Sequence, residues 1–142
     1  MGLKMADGCI CWVVALLHEA RPLIEKLKLK NISMESLHPI YANDARTDWL
    51  VLTGVGQLNA ASGSASLYQA CPKSSSANWV NIGIAGGGTN SIGDLFYVRS
   101  VRQKSTNTKN SFYPFILPNI KINTADLITT DLPETNYNQE AL

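Results

Sequence analysis

The sequence predicts an α/β fold, a mixed and largely parallel sheet flanked by helices, from three apolar segments and the stretch between two of them. The segments are CICWVVAL at 9 to 16, DWLVLTGVG at 48 to 56 and NWVNIGIAGG at 78 to 87, each with a tryptophan near its start. Continuous apolar runs of this length are typical of strands covered by helices on both faces of a sheet. With 142 residues, 45% of them hydrophobic and 16% charged, we expect one domain over residues 1 to 142.

Two helices are predicted between these strands. Residues 19 to 30 place Pro22 in the first turn, apolar side chains on one face and lysines toward the C-terminal end. The stretch LNAASGSASLYQA, residues 58 to 70, is rich in alanine and long enough for a crossover between parallel strands. The second strand, this helix and the third strand are therefore expected to form a βαβ unit.

Shorter elements are expected in the second half of the chain. GDLFYVRSVRQ, from Gly93, predicts a turn followed by a strand, and the polar residues 103 to 111 predict an exposed loop. Two short apolar runs separated by prolines come next, within residues 112 to 133. The last stretch, ETNYNQEAL, carries no helix cap, strand pattern or charged tail, so the domain is expected to be truncated at the C-terminus.

Composition narrows the classes of partner. A formal net charge of +1 without a basic cluster argues against nucleic acid and against an anionic membrane surface, which leaves a small-molecule ligand. The N-terminal apolar run is short, is interrupted by His18 and Glu19, and lacks the flanks of a signal peptide, so it is interpreted as a buried strand. Three cysteines, an odd number, favour a reducing compartment and a cytoplasmic location.

The cysteines and histidines give no recognisable metal motif. Cys9 and Cys11 are two residues apart and are expected on one face of the first strand as buried core thiols. Neither Cys71 nor the two histidines stand at metal-ligand spacing from them, so no metal site is predicted. For His18 we expect a surface or turn position without a catalytic partner.

The loops after the three strands are the expected ligand site, because open α/β sheets bind ligands beyond the carboxyl ends of their strands. Two of the three loops consist of glycine and small residues, which would let a flat ligand lie against backbone amides; the alternative is that these glycines only serve tight turns. The chain lacks the third glycine and the acidic residue of a dinucleotide site, a phosphate-binding loop and a serine nucleophile elbow. No cofactor is expected.

Glu19 is the candidate catalytic residue of this end of the sheet. It comes directly after the first strand, at the start of the predicted helix. A carboxylate there can activate a water molecule. It can equally be a helix N-terminal acid that the helix dipole stabilises.

Three segments together resemble the nucleoside phosphorylase and nucleosidase superfamily, which includes methylthioadenosine/S-adenosylhomocysteine nucleosidase and futalosine hydrolase. ALLHEARPL, TGVGQLNAA and NIGIAGG followed by IGDL come in the order and spacing of that family, over residues 10 to about 100. The resemblance implies a purine nucleoside phosphorylase-like fold. It also implies cleavage of the N-glycosidic bond of a purine-type nucleoside.

The resemblance assigns roles position by position. Glu19 matches the glutamate that activates the attacking water in the nucleosidase branch. The positions that match the ribose and nucleophile pocket, or the backbone along purine and sugar, are Ala15, Val55, Ile84, Ala85 and Gly86. Ile84 stands where the nucleosidases have a serine, which makes the floor of the implied pocket more apolar.

The resemblance further implies a type of reaction and an assembly state. Hydrolysis is expected rather than phosphorolysis, because Glu19 occupies the family's water-activating position and no recognisable motif places Arg21 or Arg46 as a phosphate ligand. Phosphate is a partner only in the phosphorolytic alternative. The family's ribose-binding Met-Glu pair and its aspartate general acid would fall beyond Leu142. A truncated sheet leaves an open edge, so a homo-oligomer is expected. The alternatives are a non-catalytic nucleoside-binding or interaction protein and a fragment of a longer enzyme.

Overall fold

The structure is a computed structural model that describes residues 8–33, 35–87, 90–104, 111–114 and 121–130. By its internal contacts the chain divides into two compact units, residues 1–85 and 86–142. The expectations of one domain over the whole chain and of a truncated C-terminus stay predictions. Residues 131–142 lie outside the described part.

Among its described residues, the first unit is an α/β structure with a five-stranded mixed sheet, two α-helices and a single 3₁₀ turn at Ser74–Ser76. Its strands are β1 (Ile10–Val14), β2 (Lys30–Asn31), β3 (Ile40–Ala42), β4 (Asp48–Leu52) and β5 (Asn78–Asn81). The strand order is β2-β3-β4-β1-β5, with β1 parallel to both β4 and β5. The pairs β2/β3 and β3/β4 are antiparallel. The expected mixed sheet is confirmed, but parallel and antiparallel pairs are equally frequent in it.

The helices are α1 (Leu17–Lys26) and α2 (Gln57–Ala70). The prediction for α2 is correct to within one residue, although β4 and β5, which it connects, flank β1 and do not pair with each other. The prediction that α1 reaches residue 30 is wrong. Lys28 has a φ of 53°, its N–H donates to the Glu25 carbonyl, and the N–H of Leu29 donates to the Ile24 carbonyl. This is the hydrogen-bond pattern of a Schellman C-cap, which turns the chain out of the helix.

Helices on the two faces of the sheet give two apolar clusters. One lies on the α2 face and contains Cys9, Cys11, Val13, Ile40, Ala42, Trp49, Val51, Leu67 and Cys71. The other lies on the α1 face and contains Val14, Ala20, Leu29, Leu50 and Leu52. Cys9, Cys11 and Val13 belong to the first cluster, whereas Trp12 packs against the second and Val14 belongs to it, as expected for a strand with both faces covered.

Strand β5 departs from the expectation of burial on both faces. Three of its four residues are exposed, and its central Trp79 is about two-fifths exposed. The physical reason is its place at the edge of the sheet, together with asparagine at both of its ends. Edge strands with polar residues are a common way to discourage pairing with a further chain.

Gly63 allows α2 to approach β4. A Cβ atom at this position would lie 2.6 Å from Cγ2 and 3.1 Å from the backbone Cα of Thr53, the residue that comes directly after β4. Both distances are shorter than ordinary carbon contacts, and the second involves backbone that has no rotamer to change. A side chain at position 63 therefore requires the helix to move away from the sheet.

The second unit contains a three-stranded mixed sheet among its described residues. Its strands are β6 (Phe96–Gln103), β7 (Ser111–Phe112) and β8 (Asn123–Thr129), in the order β7-β6-β8, with β6 parallel to β8. The predicted turn before β6 is confirmed: the Ser91 N–H donates to Asp94 Oδ2 at 3.0 Å, and Gly93 has a φ of 94°. Most of the predicted loop at 103 to 111 and the first apolar run after it lie outside the described residues.

An acidic side chain stabilises an irregularity in β6. The register with β8 shifts between Val98 and Ser100, so Arg99 has no partner on β8. Asp126 on β8 accepts hydrogen bonds from Arg99 Nε at 3.1 Å, Arg99 Nη2 at 2.6 Å and Ser100 Oγ at 2.6 Å. These bonds lower the pKa of Asp126 to about 2.

Candidate site at the carboxyl ends of the parallel strands

Glu19 lies in the first turn of α1, just beyond the carboxyl end of β1. Leu16, the residue that caps this helix, has the extended backbone conformation typical of an N-cap, and it has no side-chain acceptor. The Leu16 N–H donates instead to Glu19 Oε2 at 3.0 Å, a pairing that forms the glutamate half of a capping box. One carboxylate oxygen of Glu19 is thereby fixed to the β1 loop.

The other oxygen of Glu19 reaches the segment that comes after β5. The Ile84 N–H donates to Glu19 Oε1 at 3.0 Å across 65 residues of sequence. Gly83 lies beside the same oxygen, but a Cβ there would be 3.5 Å from Oε1, which is an ordinary van der Waals distance. Glu19 therefore meets Ile84, and the space next to the carboxylate does not depend on a glycine at position 83.

Ala15 and Val55 are brought to the same end of the sheet by the β1 and β4 loops. The Gly54 N–H donates to the Ala15 carbonyl at 2.9 Å, and Val55, the next residue, exposes about two-thirds of its surface. Gly54 and Gly56 have φ values of 82° and 102°, a region that side chains disfavour. The glycines of TGVG thus serve the turn itself, as the second interpretation of these loops expected.

The remaining predicted residues lie at or just after Ile84. Ile84 is about four-fifths exposed, and Ala85 and Gly86 are also exposed. Ala85 ends the first unit, whereas Gly86 begins the second. Within the first unit the structure thus joins Glu19 to Ile84 and Ala15 to the Gly54-Val55 turn by hydrogen bonds, and Ala15 directly precedes Leu16.

The chemistry available at Glu19 depends on its two hydrogen bonds. A carboxylate has about four acceptor positions, and backbone N–H groups occupy one on each oxygen. The remaining acceptor positions leave the carboxylate able to bind a water molecule and to accept its proton, while the two N–H groups hold the carboxylate in place. His18, the sequence neighbour, is exposed, as expected for a residue outside such a site.

A groove lies at the opposite end of the parallel strands. Its volume is about 320 Å³, and it is lined by Ala45, Arg46, Trp49, Cys71, Pro72 and Lys73. None of these is a predicted site residue. Arg46 lies over the Trp49 ring, 5.1 Å from its centroid, so its guanidinium packs on the wall of this groove.

All three cysteines of the chain meet beside that groove. Cys9, Cys11 and Cys71 are buried, their Sγ atoms lie within 4.8 Å of one another, and those of Cys9 and Cys71 are 3.3 Å apart. Burial raises the pKa of the Cys9 and Cys11 thiols, so both are neutral in the folded, metal-free chain. The predicted burial is confirmed. Sequence spacing gave no sign that Cys71 joins the other two; it does so because α2 returns the chain to the start of β1.

No protein-family model and no curated protein matches the chain. Within the part of the chain that the structure describes, neither helix has the length and apolar character needed to span a bilayer.

Proposed function

We propose that this protein hydrolyses the N-glycosidic bond of a purine-type nucleoside, with Glu19 as the base that activates water, in a purine nucleoside phosphorylase-like fold. One observation carries the proposal. Glu19 joins the loop after β1 to Ile84 beyond β5, so its carboxylate lies at the carboxyl ends of two adjacent parallel strands. This is where open α/β sheets bind their ligands.

Hydrolysis of an N-glycosidic bond needs a negative group that stabilises positive charge on the ribose and accepts a proton from water, and a fixed carboxylate can do both. As the purine departs, positive charge develops on the ribose ring, and water attacks the anomeric carbon. A negative group beside that carbon stabilises the charge and accepts the proton of the water. Because two backbone N–H groups already orient the Glu19 oxygens, little conformational entropy is lost when the substrate binds.

The side chains near Glu19 support a ligand with a flat apolar surface. Val55 and Ile84 are large hydrophobic residues that remain exposed at the strand ends. The resemblance assigns them, with Ala15, Ala85 and Gly86, to ribose and purine contacts. Exposed apolar groups at the same end of the sheet as a carboxylate suit a ligand with a flat base and a polar sugar.

A second candidate is a non-catalytic nucleoside-binding protein. It is favoured by the same hydrogen bonds, because a glutamate that links Leu16 to Ile84 through both oxygens also has a purely structural role. In that case the nucleoside binds at the strand ends, and Glu19 only holds the two loops together.

The two candidates are separated by an assay of base release combined with calorimetry. Adenosine-type and futalosine-type nucleosides are incubated with the full chain, with and without phosphate, and free base is measured by chromatography. The proposal predicts base release that is independent of phosphate. Turnover that requires phosphate would contradict hydrolysis, binding without turnover would establish the second candidate, and neither binding nor turnover would refute both.

A further inference from the structure

We infer that Cys9, Cys11 and Cys71 form a binding site for one soft metal ion, with Cu(I) as the ion that fits best. The inference is independent of the proposed nucleoside chemistry, since the cluster lies at the amino ends of the parallel strands. Cys9 directly precedes β1 and Cys11 lies within it, two residues on and facing the same apolar cluster. Cys71 is the C-cap of α2, the helix that packs on this face.

The sulfur positions are close to those of a three-thiolate site. Thiolates held about 2.3 Å from a metal ion are themselves about 3.8 to 4.0 Å apart. The Sγ atoms lie within 4.8 Å of one another, and those of Cys9 and Cys71 are 3.3 Å apart. The site therefore forms through side-chain shifts of about 1 Å or less, without a change of fold.

The donor set selects the ion. No His, Asp or Glu among the described residues joins the three thiols, so the ligands are sulfur alone. Structural zinc sites close with four protein ligands, whereas soft thiolates favour Cu(I), which three sulfurs can satisfy. Each thiol that ligates releases its proton to solvent as the ion enters. Arg46 and Lys73, which line the adjoining groove, supply positive charge beside the resulting anionic cluster.

The groove also supplies a route to the site. Cys71 forms part of its wall, although that side chain is almost fully buried. A bare ion can pass from the groove to the Cys71 sulfur with a small local opening. Packing alone does not require sulfur here, because the cluster is otherwise built of aliphatic and aromatic side chains.

The test uses the full chain and Cu(I) itself, delivered anaerobically in a reductant with a competing Cu(I) chelator. Native mass spectrometry gives the number of ions bound, and X-ray absorption gives the ligand atoms. We expect one Cu(I) per chain, sulfur as the only scatterer among the directly bound atoms, and at least a tenfold loss of affinity in Cys71→Ser. Ser76→Ala, on the exposed turn beyond Cys71, is the matched control and should bind as the unchanged chain does.

Several results would overturn the inference. One is the absence of bound copper at chelator concentrations that leave copper bound to known thiolate sites. Another is nitrogen or oxygen among the directly bound atoms. A third is retention of copper by a folded variant lacking all three cysteines. Tighter binding of Zn(II) than of Cu(I), each measured against its own chelator, would overturn the choice of ion. Should Cys71→Ser fail to fold, the stoichiometry and scatterers of the unchanged chain still decide.

Discussion

The two ends of the parallel strands in the first unit differ in almost every physical respect. At the amino end, three thiols are buried in an apolar cluster, and the indole N–H groups of Trp49 and Trp79 donate to backbone carbonyls. At the carboxyl end, Val55 and Ile84 are exposed, and the half-buried Glu19 carboxylate accepts the Ile84 N–H. The amino end therefore buries its thiols and pairs its indole N–H groups, whereas the carboxyl end leaves polar and apolar groups accessible to a ligand.

Helix α2 contains both environments within its length. Leu58, in its first turn at the carboxyl end of the strands, is 88% exposed, whereas Leu67, in its last turn, is fully buried. Replacement of these two leucines by alanine should therefore give the largest difference in stability between the two ends. We expect Leu67→Ala to lower the free energy of unfolding by about 2 to 5 kcal/mol, and Leu58→Ala by less than about 0.5 kcal/mol. Denaturant titration measures both, and equal losses would contradict the contrast.

Alanine substitution at two glycines should give the next largest difference in stability. In Gly63→Ala the new methyl group meets the Thr53 side chain and backbone. We therefore expect the free energy of unfolding to fall by about 1 to 3 kcal/mol. The control is Gly83→Ala beside Glu19, where the new methyl group makes only an ordinary contact. Thermal unfolding should show a lower midpoint for the first variant and almost no change for the second. A stable Gly63→Ala would mean that α2 lies farther from the sheet.

Alkaline pH should lower the free energy of unfolding through the buried thiols at the amino end of the strands. The pKa values of Cys9 and Cys11 are raised by burial, so these thiols stay protonated in the metal-free fold when the unfolded chain begins to ionise, above about pH 8.5. Stability then falls as pH rises, by at most about 1.4 kcal/mol per pH unit for each thiol.

Chemical unfolding between about pH 8 and pH 10, with a chelator present, should show a shallower decline in Cys11→Ala than in the unchanged chain. Parallel pH profiles would show that these thiols ionise equally in both states.

The smallest contrast in stability between a variant and its control is expected at Glu19. In Glu19→Gln the amide oxygen can accept only one of the two N–H bonds, and the charge near the helix N-terminus is lost. The free energy of unfolding should therefore fall by about 0.5 to 1 kcal/mol. Glu25→Gln, an exposed change on the same helix, should cost less. Circular dichroism during denaturant unfolding compares the two. A loss above about 3 kcal/mol would make Glu19 chiefly a structural residue.

Sequence patterns predicted the elements whose signals are local. Strands β1 and β4 and helix α2 are predicted by apolar runs and an alanine-rich crossover, and the strand-end rule led to Glu19. The patterns missed β2 and β3, since two- and three-residue strands carry too little periodicity to recognise. The exposure of β5 depends on its edge position, which sequence order does not reveal.

The spacing of the cysteines did not reveal that their thiols meet, for a different reason. A spacing motif treats distance along the chain as distance in space, whereas the length and direction of α2 bring Cys71 to Cys9 across 62 residues. Likewise, the hydrogen bond from Ile84 to Glu19 depends on β5 pairing directly with β1. Both contacts require the strand order, and no local pattern contains that information.

The proposal that Glu19 activates water for N-glycosidic cleavage is decided by the rate of base release from a purine nucleoside in the Glu19→Gln and Glu25→Gln variants. We expect that folded Glu19→Gln loses about 100-fold or more in kcat while still binding the nucleoside, and that Glu25→Gln retains full activity. An unchanged kcat in folded Glu19→Gln would show that this carboxylate does not activate the water.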